Sequence, residues 1–188
     1  MNSPQEYILL FINAIRCIPH LILFLLHPNK EVIKADIIRG LDNMDKKYGI
    51  YFGLLYMLSF CKEFRNLFYY RTRPFSFFFN FICRQQSTLY IQSQNIGEGL
   101  VIIHGFASAI GAESIGKNCT IFQQVTIGGT DKGAPTLKDN VKVFAGAVII
   151  GKITIGNNVI IGANATVYNN VPDNSTVLPG TSKVFKWK

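Results

Sequence analysis

Histidine is the scarcest of the side chains suited to acid–base or metal chemistry: the 188-residue chain has three, His20, His27 and His104. Cysteine is nearly as rare. Cys17, Cys61, Cys83 and Cys119 are scattered with no CxxC, which suggests neither a zinc-type ligand set nor a disulfide framework. They read as reduced, partly buried thiols of a cytoplasmic protein. Charge is sparse, at 16% of residues against 48% hydrophobic, and this excludes a disordered chain. Acid is especially short: 11 Asp and Glu face 19 Lys and Arg, a formal charge of +8. Such an excess asks for an anionic partner. No long basic run or nucleic-acid-binding motif is present, so nucleic acid is not expected. Anionic lipid or the phosphates of a nucleotide-like cofactor remain.

A membrane-like run occurs once, at Tyr7–Leu26, YILLFINAIRCIPHLILFLL. The preceding MNSPQE lacks the cations of a signal peptide, and no small-residue cleavage site follows. Arg16 and Pro19 near its middle count against a spanning helix, since Arg alone costs about 2.5–3.5 kcal/mol there. Ile8, Phe11, Ile12, Ile15, Ile18, Ile22 and Leu25 follow helical spacing. The expectation is a helix with this stripe buried against other helices or subunits; an interfacial membrane helix is the alternative.

Residues 1–88 as a whole read as a helical, aromatic- and Arg-rich region serving oligomerisation, membrane contact or both. HPN is a turn, KEVIKADIIRGLDNMDKKYG an amphipathic helix ended by Gly49, and Ile50 to Cys61 a third helical stretch. In KEFRNLFYYRTRPFSFFFNFICR, Arg65, Arg71, Arg73 and Arg84 alternate with aromatics, and Pro74 breaks the helix.

From residue 89 the pattern changes. Val143, Ile149, Ile155, Ile161 and Val167 keep a period of six, and Val141, Ala147, Ile153, Val159, Ala165 and Val171 keep the same period two residues away. Ile115, Ile121 and Ile127 extend it upstream, and Ile96 and Ile102 do so in a frame shifted by one. Neither a helix nor a flat strand repeats every six residues. Short strands separated by tight turns, coiled into a three-sided prism, do. Gly156, Asn157, Asn158, Gly162 and Asn164 suit those turns. Between Ile127 and Val143 the register carries four extra residues within GGTDKGAPTL, which predicts a protruding loop at 130–136.

IGEGLVIIHG, IFQQVTIGGT, VFAGAVIIGKITIGNNVIIGANATV and VPDNSTVLPGTSKV together resemble the hexapeptide-repeat acyltransferases, within them the serine O-acetyltransferase branch that also contains capsular and surface-glycan O-acetyltransferases. The resemblance covers about residues 90–184. It implies a left-handed parallel β-helix over 89–188, assembled as a homotrimer or a pair of trimers, and direct acetyl transfer from acetyl-CoA to a hydroxyl between neighbouring β-helices. It makes His104 the catalytic histidine and aims the main-chain amide at Gly129 at the oxyanion. It lays coenzyme A along Thr130, Ala145, Gly146 and Ala163, with its phosphates towards Lys183 and Lys186.

The sequence departs from the branch where serine would be held. The aspartate that orients the histidine falls on Leu89, the one that meets the amino group falls on Ile103, and the Arg-His pair before the loop proline falls on Gly133 and Ala134. A zwitterion is costly to desolvate without charges facing both its ends. This favours a sugar hydroxyl of a cell-surface polysaccharide or its precursor. The enzyme would then be cytoplasmic, with peripheral contact at the inner face of the membrane. Serine O-acetyltransferase and a non-catalytic β-helical scaffold are the alternatives.

A neutral imidazole suits removal of a hydroxyl proton near neutral pH, and glycine-rich turns offer main-chain N–H groups to the oxyanion. No Ser or Cys stands in a nucleophile setting. His104 is therefore expected to be the base, with a structural histidine as the alternative and no metal, because this β-helix holds one histidine. With the usual aspartate missing, a main-chain carbonyl or Glu113 would orient it.

Overall fold

Short strands recur on three faces, and each pairs in parallel with the strand one coil away. The computed structural model describes residues 4–180. One face stacks Leu89–Ile91, Ser108–Ile110, Thr126–Gly128, Val148–Ile150 and Thr166–Val167. A second stacks Asn95–Ile96, Ser114–Ile115, Thr136–Leu137 and Thr154–Ile155. The third stacks Val101–Ile102, Thr120–Ile121, Lys142–Val143, Ile160–Ile161 and Thr176–Val177. The result is the expected parallel β-helix. Val143, Ile149, Ile155 and Ile161 are fully buried in its interior, as are Val141, Ala147, Val159 and Ala165. Fully burying one such aliphatic side chain stabilises by about 1.5–3 kcal/mol.

At one corner the turn residues Asn118, Asn140, Asn158 and Asn174 all adopt left-handed φ of 55 to 60°. Asn140 Nδ2 donates to Asn158 Oδ1 (3.0 Å), and Asn158 Nδ2 to Asn174 Oδ1 (2.9 Å). The short polar side chain tolerates this conformation and bonds up the stack. Val148 pairs with Thr126 on one side and Thr166 on the other, so one coil takes 22 residues and the next 18. The surplus is the loop at 129–135, and Thr136 is already back in a strand.

Four helices precede the β-helix: α1 (Pro4–Leu26), α2 (Lys30–Asn43), α3 (Ile50–Phe60) and α4 (Lys62–Arg71). A 3-10 turn, Phe75–Phe78, follows the break at Pro74. Gly49 does not end α2, which stops at Asn43; it is the extended N-cap of α3. The expected inner stripe of α1 is also reversed. Ile8, Phe11, Ile12, Ile15, Ile18, Ile22 and Leu25 all face outwards, while Leu10, Cys17, His20 and Phe24 are buried against the other helices.

The helices cap the first coil through arginine. Arg71 forms a buried pair with Asp36 (Nε to Oδ2, 2.9 Å) and donates to the carbonyls of Ile96 and Gly97. Asp36 Oδ1 also accepts the Leu100 N–H (3.0 Å). Arg39 donates to the carbonyls of Gly99 (2.5 Å) and Cys119 (2.6 Å). An open end of a β-helix leaves backbone groups unpaired, and α2 and α4 supply their partners.

Candidate active site

His104 stands on the corner between the third and first faces, where the first coil bulges. Seven residues separate Ile102 from Ala109, whereas their strand partners Ile121 and Thr126 are five apart. The two added residues place His104 (φ 62°) and Gly105 (φ 56°) in the left-handed region. Gly105 N–H donates to the Ile103 carbonyl (2.8 Å) and Phe106 N–H to the His104 carbonyl (2.7 Å), so two three-residue turns follow one another. Left-handed backbone at a non-glycine residue costs on the order of 1–3 kcal/mol and is held only by its surroundings. The outcome is an imidazole outside the prism and exposed. Gly105 is fixed by crowding as well: a Cβ there would come within 3.1 Å of Glu63 Cβ, Ile102 Cγ2 and Leu89 Cδ2.

A groove of about 330 Å³ runs from His104 beneath α2, α3 and α4, with Asn43, Tyr56, Phe60 and Glu63 on its walls and Leu100–His104 as its floor. Asp36 also borders it but is engaged by Arg71. Glu63 is half-buried and makes no ion pair among the described residues. Nothing in the repeat could have indicated Glu63, which arrives from α4.

Ala145 and Gly146 on one coil and Ala163 on the next share the corner of His104, the coils about 4.8 Å apart. Gly146 N–H donates to the Gln123 carbonyl (3.1 Å), and Asn164 N–H to the Ala145 carbonyl (2.9 Å). Gly146 has φ 71°, and a Cβ on it would fall 2.2 Å from Asn164 Oδ1. Phe122 and Phe144 stack beside this track, ring centroids 4.8 Å apart. Their 22-residue spacing was the available sequence signal.

Gly129 and Thr130 lie on a different corner, between the first and second faces. Thr130 and Gly133 close the loop by exchanging backbone hydrogen bonds of 2.9 and 3.1 Å. Glu113 is exposed at the same corner, its N–H donating to the Pro135 carbonyl (2.8 Å). One chain therefore does not bring His104, Gly129 and Glu113 together. Lys183 and Lys186 fall outside the described residues. Among the described residues no group of three His, Cys, Asp or Glu could hold a metal. All four cysteines are free and buried. Burial pushes the Cys119 thiol up to about 11 and the Cys61 thiol up to about 12, so neither supplies a thiolate at neutral pH.

Residues 134–169 match the bacterial transferase hexapeptide family (six repeats). A 92-residue segment is 50% identical to a serine acetyltransferase of Staphylococcus xylosus, covering 45% of this chain and 43% of that protein. The corresponding figures for the Synechococcus elongatus serine acetyltransferase are 47%, 45% and 38%. The match thus spans less than half the length of these curated relatives. Among solved structures, serine acetyltransferase 1 of Entamoeba histolytica aligns with TM-score 0.65 at 25% identity, over 92% of this chain and 73% of that one. The Neisseria gonorrhoeae serine acetyltransferase in complex with serine aligns with TM-score 0.62 at 25% identity, over 82% and 68%.

These matches overturn the surface-glycan acceptor expected from the sequence, and with it a role in polysaccharide biosynthesis. That expectation counted charges only at positions aligned with the family pattern. Leu89 is an interior residue of the prism, and the groove beside His104 takes its carboxylate from a helix instead. The chain's strand register is that of a parallel β-helix, and residues 134–169 within it match the repeat of the bacterial transferase hexapeptide family.

Proposed function

We propose that the chain transfers an acetyl group from acetyl-CoA to the hydroxyl of serine, as a homotrimer with its sites between neighbouring prisms. The observation that carries this is the two-residue bulge, which sets the one histidine of the β-helix outside the prism at the head of a groove bearing a carboxylate. The names of the relatives support the acceptor.

In this reading the imidazole of His104 takes the hydroxyl proton as the oxygen attacks the thioester carbonyl. The N–H at Gly129 of a neighbouring subunit receives the oxyanion, the C–S bond breaks, and the imidazolium returns its proton to the departing sulfur. A neighbouring subunit is required because His104 and Gly129 occupy different edges of one prism, and a homotrimer of prisms supplies it. Coenzyme A follows the small-residue corner of Ala145, Gly146 and Ala163 and meets Thr130 from the facing loop, with its phosphates towards Lys183. Glu63 meets the ammonium group of serine in place of the carboxylate absent at Ile103.

The test is thiol release from acetyl-CoA by the purified chain with L-serine, with L-alanine as the acceptor lacking a hydroxyl. Serine-dependent release and O-acetylserine in the product mass spectrum support the reading. No turnover with serine despite acetyl-CoA binding refutes the acceptor, and the absence of binding in calorimetry leaves the scaffold alternative.

A further inference from the structure

The acetyl-transfer reading makes no use of the outer face of the helical region, where the chain leaves several large apolar side chains in the open. On α1, Phe11 is 79% exposed, Ile15 75% and Leu26 80%. Across from them Phe78 is 68% and Phe81 77% exposed. The two elements form one face, since Phe75 stands edge-on to His27 at 6.2 Å and Phe79 lies 5.9 Å from His20. Between α1 and α3 an apolar cleft of about 300 Å³ opens, lined by Ile15, Ile18, Tyr51 and Phe52. A contiguous exposed apolar patch of this kind marks an interaction surface.

Charge identifies the occupant. No Asp or Glu occurs in Tyr7–Lys30, in Ile50–Lys62 or in Phe64–Gly97, the three stretches that build the face. Those stretches carry Arg16 and Arg84, both exposed, while Arg73 turns to the Ile91 carbonyl and the Tyr70 ring. Arg65 and Arg71 are buried and committed to carbonyls and Asp36. A second copy meeting this face about a two-fold axis would set arginine against arginine with no acid to relieve it. Phospholipid supplies both what the aromatics and aliphatics need and the phosphates that guanidinium groups pair with.

The helix cannot leave the protein to span. Its inner residues Leu10, Cys17 and Phe24 belong to the helical core, and Nε2 of His20 donates to the Tyr69 hydroxyl (2.8 Å), which donates to the Cys83 carbonyl (2.7 Å). We infer that the outer face of α1, with Phe75, Phe78 and Phe81, seats the protein on the interface of an anionic phospholipid bilayer, lying in the surface plane.

Vesicle flotation of the full chain tests this. Binding is expected to vesicles of mixed phosphatidylcholine and phosphatidylglycerol, about tenfold or more tighter than to phosphatidylcholine alone, and weaker in high salt. Arg16→Glu with Arg84→Glu should erase the preference for anionic lipid, and Phe78→Ser with Phe81→Ser should weaken binding to both compositions. Circular dichroism melts confirm that each variant is folded. Failure of the wild-type chain to float with anionic vesicles overturns the proposal, as does equal binding to both compositions. So does a light-scattering mass of two trimers that falls to one trimer in the Phe78→Ser, Phe81→Ser variant, since the face would then be covered by a second copy.

Discussion

Replacing Glu63 by Gln removes one negative charge from the groove while keeping the side-chain volume. Glu63 is half-buried, its stem lies against the position a Gly105 side chain would occupy, and it makes no ion pair among the described residues. A hydrogen bond to a charged group is worth about 1.5–3 kcal/mol, which is roughly 10- to 100-fold in an equilibrium constant. Partial exposure places Glu63 towards the lower end. The expected result is a KM for L-serine raised about tenfold, with kcat within about threefold and the KM for acetyl-CoA unchanged. Glu63→Asp should recover part of the loss. Initial rates of thiol release across serine concentrations, and across acetyl-CoA concentrations at saturating serine, give all three constants. A carboxylate that orients the imidazole would instead lower kcat and leave KM alone. A serine KM within twofold of wild type in Glu63→Gln, with the loss appearing in Glu113→Gln, would refute the assignment and place the acceptor carboxylate on the loop corner.

His104→Ala should lower acetyl transfer by about 10²- to 10⁴-fold and leave coenzyme A affinity within about threefold by calorimetry; a matching loss of affinity and melting temperature would make His104 structural. Asp36→Asn should destabilise by about 3–5 kcal/mol, because Arg71 would be left as an uncompensated buried cation; urea denaturation measures it, and a change under 1 kcal/mol would refute the capping role. Burial, with lesser contributions from the charges of Arg16 and Arg65, lowers His20 from 6.5 to about 4. The unfolded chain therefore binds the extra proton between those values, and the stability due to neutral His20, about 3 kcal/mol, is complete above pH 6.5 and lost as pH falls towards 4. Melting curves at pH 7.5, 5.5 and 4.5 should fall more steeply for wild type than for His20→Gln, and parallel falls would contradict this.

The β-helix was legible because one constraint acts on every coil. An interior that admits one aliphatic side chain per face forces a six-residue period, and Val141, Val143, Ile149, Ile155 and Ile161 all land inside. The one-residue frame shift at Ile96 and Ile102 was legible too: the bulge at His104 adds two residues between Ile102 and Ile110, and the step from Ile110 to Ile115 is one residue short of the repeat. The helices were legible in type but not in orientation. α1 is apolar on both faces, with Leu10 and Phe24 on one and Phe11 and Ile15 on the other, and periodicity alone cannot say which is inside when both stripes are greasy. Gly49 suited a stop and a start equally; the loss of helical apolar spacing after Leu41 was the better guide.

The site was half legible for a related reason. His104 and the small-residue corner belong to the repeat, where position in sequence fixes position in space. Glu63 belongs to α4, 41 residues away from His104 along the chain, and reaches the groove only because Arg71 and Asn66 of the same helix dock on the first coil. Arguing from charges missing at Leu89 and Ile103 assumed that the prism alone furnishes the pocket. With the floor of the groove made by the β-helix and its walls by the helices, the division of labour follows. On the proposed reading, the repeat would set where the thioester lies and which group takes the proton, and the irregular half would decide which hydroxyl is admitted. On that reading acceptor choice would be written in the part of the chain where periodic reasoning has least to say.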